Sequence, residues 1–364
     1  MTSNFEPGSP HGAALKARYR RILRFASFAL AELWWFELAL PQIGLAKLGA
    51  RGRVRRLTRL AKNFHDLAAD LGGLMVKVGQ FLSSRFDVLP ESVTRELAGL
   101  QDEVEPQPFH LIQRAIEAEL GMPVDVAFAE INPEPIAAAS LGQAYRAKLS
   151  RGLAQELGYE DVIIKVLRPG IEEIVDVDLR ALRKVGGWLA KVKLVSRRTD
   201  APALVEEFAV TTLQEVDYLH EAGNLERFAE DFAGDPRIGT PEVVWERSAR
   251  RVLTLSDVSA IKINDIEALI EAGIDPNAVA AELARATFEQ FFVTGFFHAD
   301  PHPGNIFISK PEPDSEVDFK LTFIDFGMMG ELSEDMRANL QSFLFAVASR
   351  DARAWVAACQ KLGV

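Results

Sequence analysis

The 364-residue sequence has a single cysteine, Cys359, so no disulfide can form within the chain and a packed core has to hold the fold. One thiol is compatible with a reducing, cytoplasmic compartment. The sequence also lacks an apolar run of the about 20 residues that a bilayer span requires. Its most apolar N-terminal stretch, Phe25 to Leu40, contains Glu32 and Glu37 and stops at Pro41. No secretory leader is read in Met1 to Gly12, a polar, Pro/Gly-rich segment that reads as a disordered start. No internal repeat or extended low-complexity segment stands out. What is present is 48% hydrophobic and 26% charged residues, the proportions of a globular protein long enough for two lobes.

The net charge of -11 conceals a polarity. Residues 1–62 hold twelve Lys/Arg against three Asp/Glu, whereas the remainder holds 29 against 49. The cations fall in two runs, Lys16 to Arg24 and Lys47 to Lys62, either side of a segment with Trp34, Trp35 and Phe36. Cations flanking aromatic anchors suit a helix lying on anionic lipid. The alternative is a helix packed on the protein's own core with a solvated basic face. No nucleic-acid-binding motif accompanies the basic residues, so nucleic acid is not expected as a partner.

Helical spacing links Leu60, Phe64, Leu67, Leu71, Leu74 and Val78, which predicts one helix over Leu60 to Val78. Glu91 to Leu100 and Pro108 to Leu120 predict two more, the last stopped by Gly121. An all-helical block therefore precedes the first strand. Ile136 to Lys148 predicts strand–turn–strand around Ala137 to Ser140, and Val162 to Leu167 a strand with one internal cation, Lys165. Ile171 to Phe232 is helical in pattern with an interruption near Ser196 to Pro202. Val243 to Leu255 reads as strand and Ile266 to Gly295 as helix.

The chemistry concentrates near the C-terminal end. His298-Ala-Asp-Pro-His-Pro-Gly-Asn305 sets Asp300 and Asn305 five residues apart, the offset of a protein-kinase catalytic loop. Asp325-Phe-Gly follows, as in a metal-binding turn. Ile306 to Ser309 and Phe319 to Ile324 predict two strands around a polar loop, Lys310 to Asp318, a hairpin that returns Asp325 to Asn305. Phosphoryl transfer or hydrolysis needs a carboxylate near the attacking oxygen and hard oxygen ligands for Mg²⁺.

Lys165, in Val-Ile-Ile-Lys, resembles the strand lysine that contacts nucleotide phosphates and pairs with a glutamate. Candidate partners are Glu215, Asp217 and Glu221, the last two placed on one helix face by their four-residue spacing. A Gly-rich phosphate loop is missing. Ala137, Ala138, Ala139 and Ser140 stand in its place, and their Cβ atoms restrict φ and the approach of backbone to phosphate. From its residues alone, Lys77-Val-Gly-Gln80 is a helix segment with one small residue for close packing; Phe81 to Arg85 and Asp87 to Pro90 follow it.

Over roughly Asp66 to Gly330, these motifs together resemble the UbiB family of atypical kinases. The reading is then an α+β, two-lobed protein-kinase-like fold with an N-terminal all-helical extension covering the active-site cleft. Its parts are a basic, membrane-surface segment over 1–62, the helical extension over 63–130, an N-lobe with a helical insertion over 131–256 and a C-lobe over 257–364. The resemblance implies that Lys77 and Gln80 regulate the cleft beside Glu215 and Asp217. It implies ATP contacts from Ala137, Ala138, Ala139, Ser140, Lys165 and the hinge residue Leu255. Glu221 pairs with Lys165, Asn305 and Asp325 ligate Mg²⁺, and Asp300 is the catalytic-loop aspartate. The family is linked to isoprenoid-quinone and other prenyl-lipid metabolism and acts as membrane-associated ATPases. The implied activity is Mg²⁺-dependent ATP hydrolysis by a cytoplasmic protein peripheral on the membrane, with an isoprenoid lipid or lipid-biosynthesis proteins as partners. Phosphotransfer to a protein or small molecule, and a nucleotide-gated scaffold with little turnover, are the alternatives. The hinge reads Thr254-Leu255-Ser256-Asp257, where an acidic residue directly after the apolar one is more usual. Because the sequence ends at Val364, much of the C-terminal helical lobe is expected to be absent.

Overall fold

The computed structural model describes residues 10–47, 51–83, 90–100, 105–196, 199–310 and 317–362. Helix and sheet are mixed, and the chain divides into two compact units. One comprises residues 1–126, 130–146 and 164–216; the other comprises 127–129, 147–163 and 217–364.

The first unit opens with helices α1 (Pro10–Trp34), α2 (Arg53–Leu71), α3 (Leu74–Ser83), α4 (Glu91–Leu97) and α5 (Phe109–Leu120). Helix α1 already begins at Pro10, so residues 10–12 are helical rather than part of a disordered start. Proline in a first turn has no intrahelical hydrogen bond to lose. The single helix expected over Leu60 to Val78 is two helices. Gly72 (φ 61°, ψ −165°) ends α2, and Gly73 (φ 58°) redirects the chain into α3. Both values are open to glycine and strained for other residues. The apolar spacing runs across the break because Ala68, Met75 and Val76 enter one core with Ile22, Leu100 and Ala181.

The first strand, β1 (Phe128–Ile131), precedes the predicted one. Strand β2 (Ala137–Ala138) then pairs antiparallel with β3 (Gly142–Leu149), in register Ala137↔Ala144 and Ala138↔Gln143. A short helix that the pattern did not reveal, α6 (Arg151–Leu157), precedes β4 (Asp161–Leu167). Helices α7 (Ile171–Leu189), α8 (Ala201–Glu215) and α9 (Tyr218–Asp231) fill the long helical stretch. It breaks where expected: the Asp200 side chain caps α8 by accepting from Ala203 N at 3.1 Å. A second break falls at Val216. Asp217 lies outside the helices, in extended conformation, with its carboxylate accepting from Leu219 N at 3.2 Å. Asp217 and Glu221 therefore do not share a helix face. An aspartate that can bond a nearby backbone N–H favours the cap over the interior.

The second unit carries β5 (Ile238–Gly239), β6 (Val252–Ser256), β7 (Ile261–Lys262), β8 (Phe296–His298), β9 (Ile306–Ser309), β10 (Lys320–Phe323) and β11 (Met329–Glu331). One sheet has the order β5-β10-β9-β7, and β8 pairs with β11. Of the strand predicted over Val243 to Leu255 the end forms, as β6, and the part before it is a turn closed on that strand: Ser248 Oγ accepts from Thr254 N at 3.0 Å, and Val243 bridges Leu255. Helices α10 (Ile266–Glu271) and α11 (Pro276–Glu289), separated by Gly273 at φ 75°, replace the single helix expected there. Helices α12 (Glu334–Ala348) and α13 (Ala352–Leu362) follow the sheets.

Helix α1 is tied down by one side chain. Arg18 donates to both carboxylate oxygens of Asp178 on α7, at 2.6 and 2.5 Å, and to the carbonyls of Leu71 (2.6 Å) and Gly72 (3.0 Å) at the end of α2. Asp178 is fully buried; burial pushes its carboxyl above the usual range while the bonds from Arg18 pull it back. Leu15, Ile22 and Ala26 bury the same face of α1, whereas Phe28, Trp34 and Trp35 are exposed. The two acids that interrupt the apolar stretch also have partners on α2. Glu32 pairs with Arg59, and Glu37 with Arg53 at 3.3 Å and Arg56 at 3.5 Å. Removing one member of a buried pair strands the other, at a cost of about 3–5 kcal/mol. Arg18→Met should therefore lower the thermal midpoint of the chain markedly. Arg18→Met with Asp178→Leu should recover part of that loss. A single variant as stable as wild type would show that α1 is held by apolar burial alone.

Candidate functional site

The loop His298–Asn305 begins at the end of β8 and runs into β9; β10 then leads into Asp325. The predicted hairpin forms in register Ile308↔Leu321 and Ile306↔Phe323. Residues 311–316 of its connecting loop lie outside the described residues, as do 84–89, which hold Arg85 and Asp87. The hairpin brings the loop's last residue back to the turn: Ile324 N donates to Asn305 O at 2.9 Å. Asn305 Nδ2 reaches Asp300 O at 3.2 Å. Asp300, Asn305 and Asp325 are thus gathered in the second unit, and Asp300 and Asp325 are both exposed.

Asp325 has φ 64°, in the left-handed region. Aspartate and asparagine tolerate it better than most residues because their short side chains bond locally; Asp325 Oδ1 accepts from Gly327 N at 3.4 Å. Phe326, fully buried, packs its ring at a tilt 5.2 Å from Phe228 on α9 and 5.6 Å from His298. Asn224, also on α9, donates from Nδ2 to Phe326 O at 2.9 Å.

His298 joins the two motifs. Its Nε2 lies 3.2 Å from Ile324 O and its Nδ1 3.3 Å from Asp300 N. A carbonyl only accepts and an N–H only donates, so the Nε2–H tautomer satisfies both contacts. Gln290, in a π-helical turn over Gln290–Thr294, accepts from His298 N at 2.8 Å. Sequence reading missed Asn224 and Gln290. Neither has a motif around it, and only the distance in space reveals them. His298→Phe keeps the packing on Phe323 and Phe326 but strands the Ile324 carbonyl and Asp300 N–H. A loss of about 1–3 kcal/mol is expected, read as an earlier denaturant midpoint; an unchanged midpoint would remove the strut.

In the first unit, Lys165 lies on β4 opposite the face that buries Val162, Ile164 and Val166, and is only half-buried. Alternation along the strand, rather than burial, sets its direction. Glu221 is 4% exposed on α9 of the second unit. Leu255 is buried within β6. Ala137 to Ser140 form a turn closed by Ala139 N donating to Gly142 O at 2.9 Å. Arg168, just beyond β4, pins that turn through Nε to Ala139 O at 2.9 Å and through its backbone N to Leu141 O. Ser140 Oγ is buried with no hydrogen-bond partner among the described residues. A buried hydroxyl without a partner is uncommon in a folded protein.

Helix α3 carries Lys77 and Gln80. Lys77 Nζ pairs with Glu215 Oε2 at 2.6 Å, while Gln80 reaches Leu100 O at 3.4 Å rather than the acidic side chains. Gly79 explains the close packing between them. A Cβ there would lie 2.0 Å from Leu100 Cδ1 and 3.4 Å from Phe64. Gly79→Ala should cost about 1–3 kcal/mol, and a simultaneous Leu100→Ala should lessen the cost of the added methyl in a denaturation series. Additive losses would refute the contact.

Residues 99–359 match the ABC1 atypical kinase-like domain. The Arabidopsis thaliana protein ACTIVITY OF BC1 COMPLEX KINASE 7, chloroplastic, is 40% identical over 298 residues, covering 82% of this chain and 41% of the relative. A "Probable protein kinase UbiB" of Pseudomonas paraeruginosa is 34% identical over 323 residues, 88% of this chain and 58% of the relative. The chain thus spans about half the length of the curated relatives it matches. The complex structure of Rv3197-erythromycin from Mycobacterium tuberculosis superposes with a TM-score of 0.56 at 26% identity, covering 82% of this chain and 71% of that one. The motif spacing, the matched domain and these relatives agree: the chain has a kinase-like fold and belongs to the ABC1/UbiB family of atypical kinases.

Proposed function

We propose that the protein is a Mg²⁺-dependent ATPase acting at a membrane surface in isoprenoid-quinone or other prenyl-lipid metabolism. The observation that carries this reading is the convergence of Asp300, Asn305 and Asp325 through the Ile324–Asn305 and Asn305–Asp300 hydrogen bonds. The donor set fits magnesium. Among the described residues no cluster of three His, Cys, Asp or Glu side chains could hold a metal. One carboxylate, Asp325, and one amide, Asn305, are what magnesium takes from a protein when phosphates and water complete its shell. Magnesium bound there would neutralise charge on the phosphates. Asp300 would orient the attacking oxygen, with Lys165 and Glu221 as the phosphate-side pair and Ser140 as a donor from the Ala-rich turn. Lys77 and Gln80, with Glu215 and Asp217, would govern access.

Support for the membrane comes from exposed aromatics and cations together. Phe28, Trp34, Trp35, Ile43 and Leu45 are exposed, and so are Arg20, Arg24, Lys47, Arg51 and Arg55. No described helix is long and apolar enough to cross a membrane. Such a surface lies on anionic lipid rather than through it. Support for the lipid pathway comes from the resemblance to the UbiB family, which is linked to prenyl-lipid metabolism.

Phosphate release by the purified chain, with and without anionic liposomes, tests the reading. Asp325→Asn is the sharp control because asparagine keeps the φ 64° backbone and removes the charge. Turnover that liposomes raise several-fold and Asp325→Asn abolishes, together with loss of thermal stabilisation by Mg-ATP, is expected. Equal stabilisation of both proteins by Mg-ATP would overturn the metal role of Asp325.

A further inference from the structure

The first unit contains a cavity of about 290 Å³ lined by none of the residues proposed to hold the nucleotide. Helices α1, α2, α3, α7 and α8 wall it, and every residue lining it is apolar. Phe25, Phe64, Phe81 and Phe208 supply the large surfaces, while Ala29 and Gly186 leave room between them. An apolar chamber offers water no hydrogen-bond partner, whereas a hydrocarbon chain gives up nothing on entering it. The volume lies at the small end of the range for ligand sites, which suits one chain rather than two.

The chamber has a polar neighbour. Phe25 and Leu67 also line an open depression of about 650 Å³ bordered by Arg21, Arg24, Asn63, Asp66 and Asp70. Arg21 is paired with Asp70, which leaves Arg24 and Asp66 as an exposed cation and anion at the rim. Two positive and two negative groups balance there. A rim of this kind matches a head that is uncharged or zwitterionic and disfavours one with net charge.

We propose that this cavity binds the hydrocarbon tail of a single-chain lipid, with a head of no net charge held in the adjoining depression. The proposal deepens the lipid-coupled reading above, and its link to turnover rests on that reading. Its position gives it something to act on. Val78 and Phe81 of α3 and Val205 and Phe208 of α8 all line the cavity, and the rings of Phe81 and Phe208 are in contact there, 5.4 Å between centroids. The same two helices carry Lys77 and Glu215, joined at 2.6 Å. A chain in the cavity lies against the contact between α3 and α8 and therefore bears on that ion pair.

Radiolabelled geranylgeraniol is the probe, bound at equilibrium to the full chain. Saturable binding of one label per chain is expected. Ala29→Phe and Val205→Phe, which fill the chamber from two different helices, should each weaken it at least tenfold while the melting temperature stays within a few degrees. Should either filler fail to fold, Phe208→Ala enlarges the chamber and should shift preference toward a longer prenyl alcohol. Unlabelled oleoyl-lysophosphatidylethanolamine that displaces the label extends the site to acyl tails; failure to displace restricts it to prenyl tails. Geranylgeranyl diphosphate, with its net charge, should bind more weakly than the alcohol. Asp325→Asn, altered in the other unit, should bind the label as wild type does. If it does and wild-type turnover ignores the lipid, the site stands and the lipid-coupled reading falls. Label that binds without saturation, or equally to both folded fillers, overturns the site whatever liposomes do to turnover.

Discussion

A guanidinium that donates to two carboxylate oxygens and to the carbonyls of two residues at a helix end cannot shift without stranding all of them. Arg18 is in that position, between fully buried Asp178 and the carbonyls of Leu71 and Gly72. The charge is costly to bury, and only the completeness of its bonding makes the burial tolerable. Geometry follows from that requirement. The end of α2 is fixed, Gly72 and Gly73 turn the chain at a set angle, and α3 is delivered with Lys77 against Glu215. Gly79, with room for no Cβ beside Leu100, keeps α3 against the rest of that core.

The second unit solves a similar problem without charge. Asp300 and Asp325 are exposed on a loop and a turn of irregular backbone, which by itself holds no fixed geometry. The buried imidazole of His298 spans them, one nitrogen toward Ile324 O and the other toward Asp300 N, inside the aromatic packing of Phe228, Phe323 and Phe326. Rigid neutral groups beneath thus orient the exposed polar groups above, which is how a site gains precision without losing access.

Much of this was legible in the residues. The Asp300–Asn305–Asp325 spacing, the β9–β10 hairpin and the Ala-rich turn could be read from residue types at fixed offsets, whereas the placement of Lys77 beside Glu215, the last residue of α8, came from the family resemblance alone. The readings that failed share a cause. Periodicity reports which face is apolar, and it passes unbroken through Gly72–Gly73, Gly273 and Val216, where the chain leaves the helix but keeps burying the same face. Asp217 looked helical by spacing and became a cap because its carboxylate found Leu219 N–H. The supporting residues Arg18, Asn224, Gln290 and Arg168 were invisible for another reason: each acts on backbone atoms of distant segments, and a backbone carbonyl has no letter in a sequence. The basic run of α2 was read toward lipid, yet Arg53, Arg56 and Arg59 face Glu37 and Glu32.

The 160 residues that separate Arg18 from Asp178 have a consequence in time. A ribosome adding about 5–20 residues per second takes on the order of 8–30 seconds to synthesise that interval. Throughout it, α1 is made but its anchor is not, and the apolar face of Leu15, Ile22 and Ala26 stands without the surface it will cover. Helix α2 can neutralise Glu32 and Glu37 early, since Arg53, Arg56 and Arg59 follow closely. The N-terminal pair can therefore form a hairpin with both glutamates paired first and close onto α7 only when that helix is complete, so the earliest part of the chain is among the last to be locked.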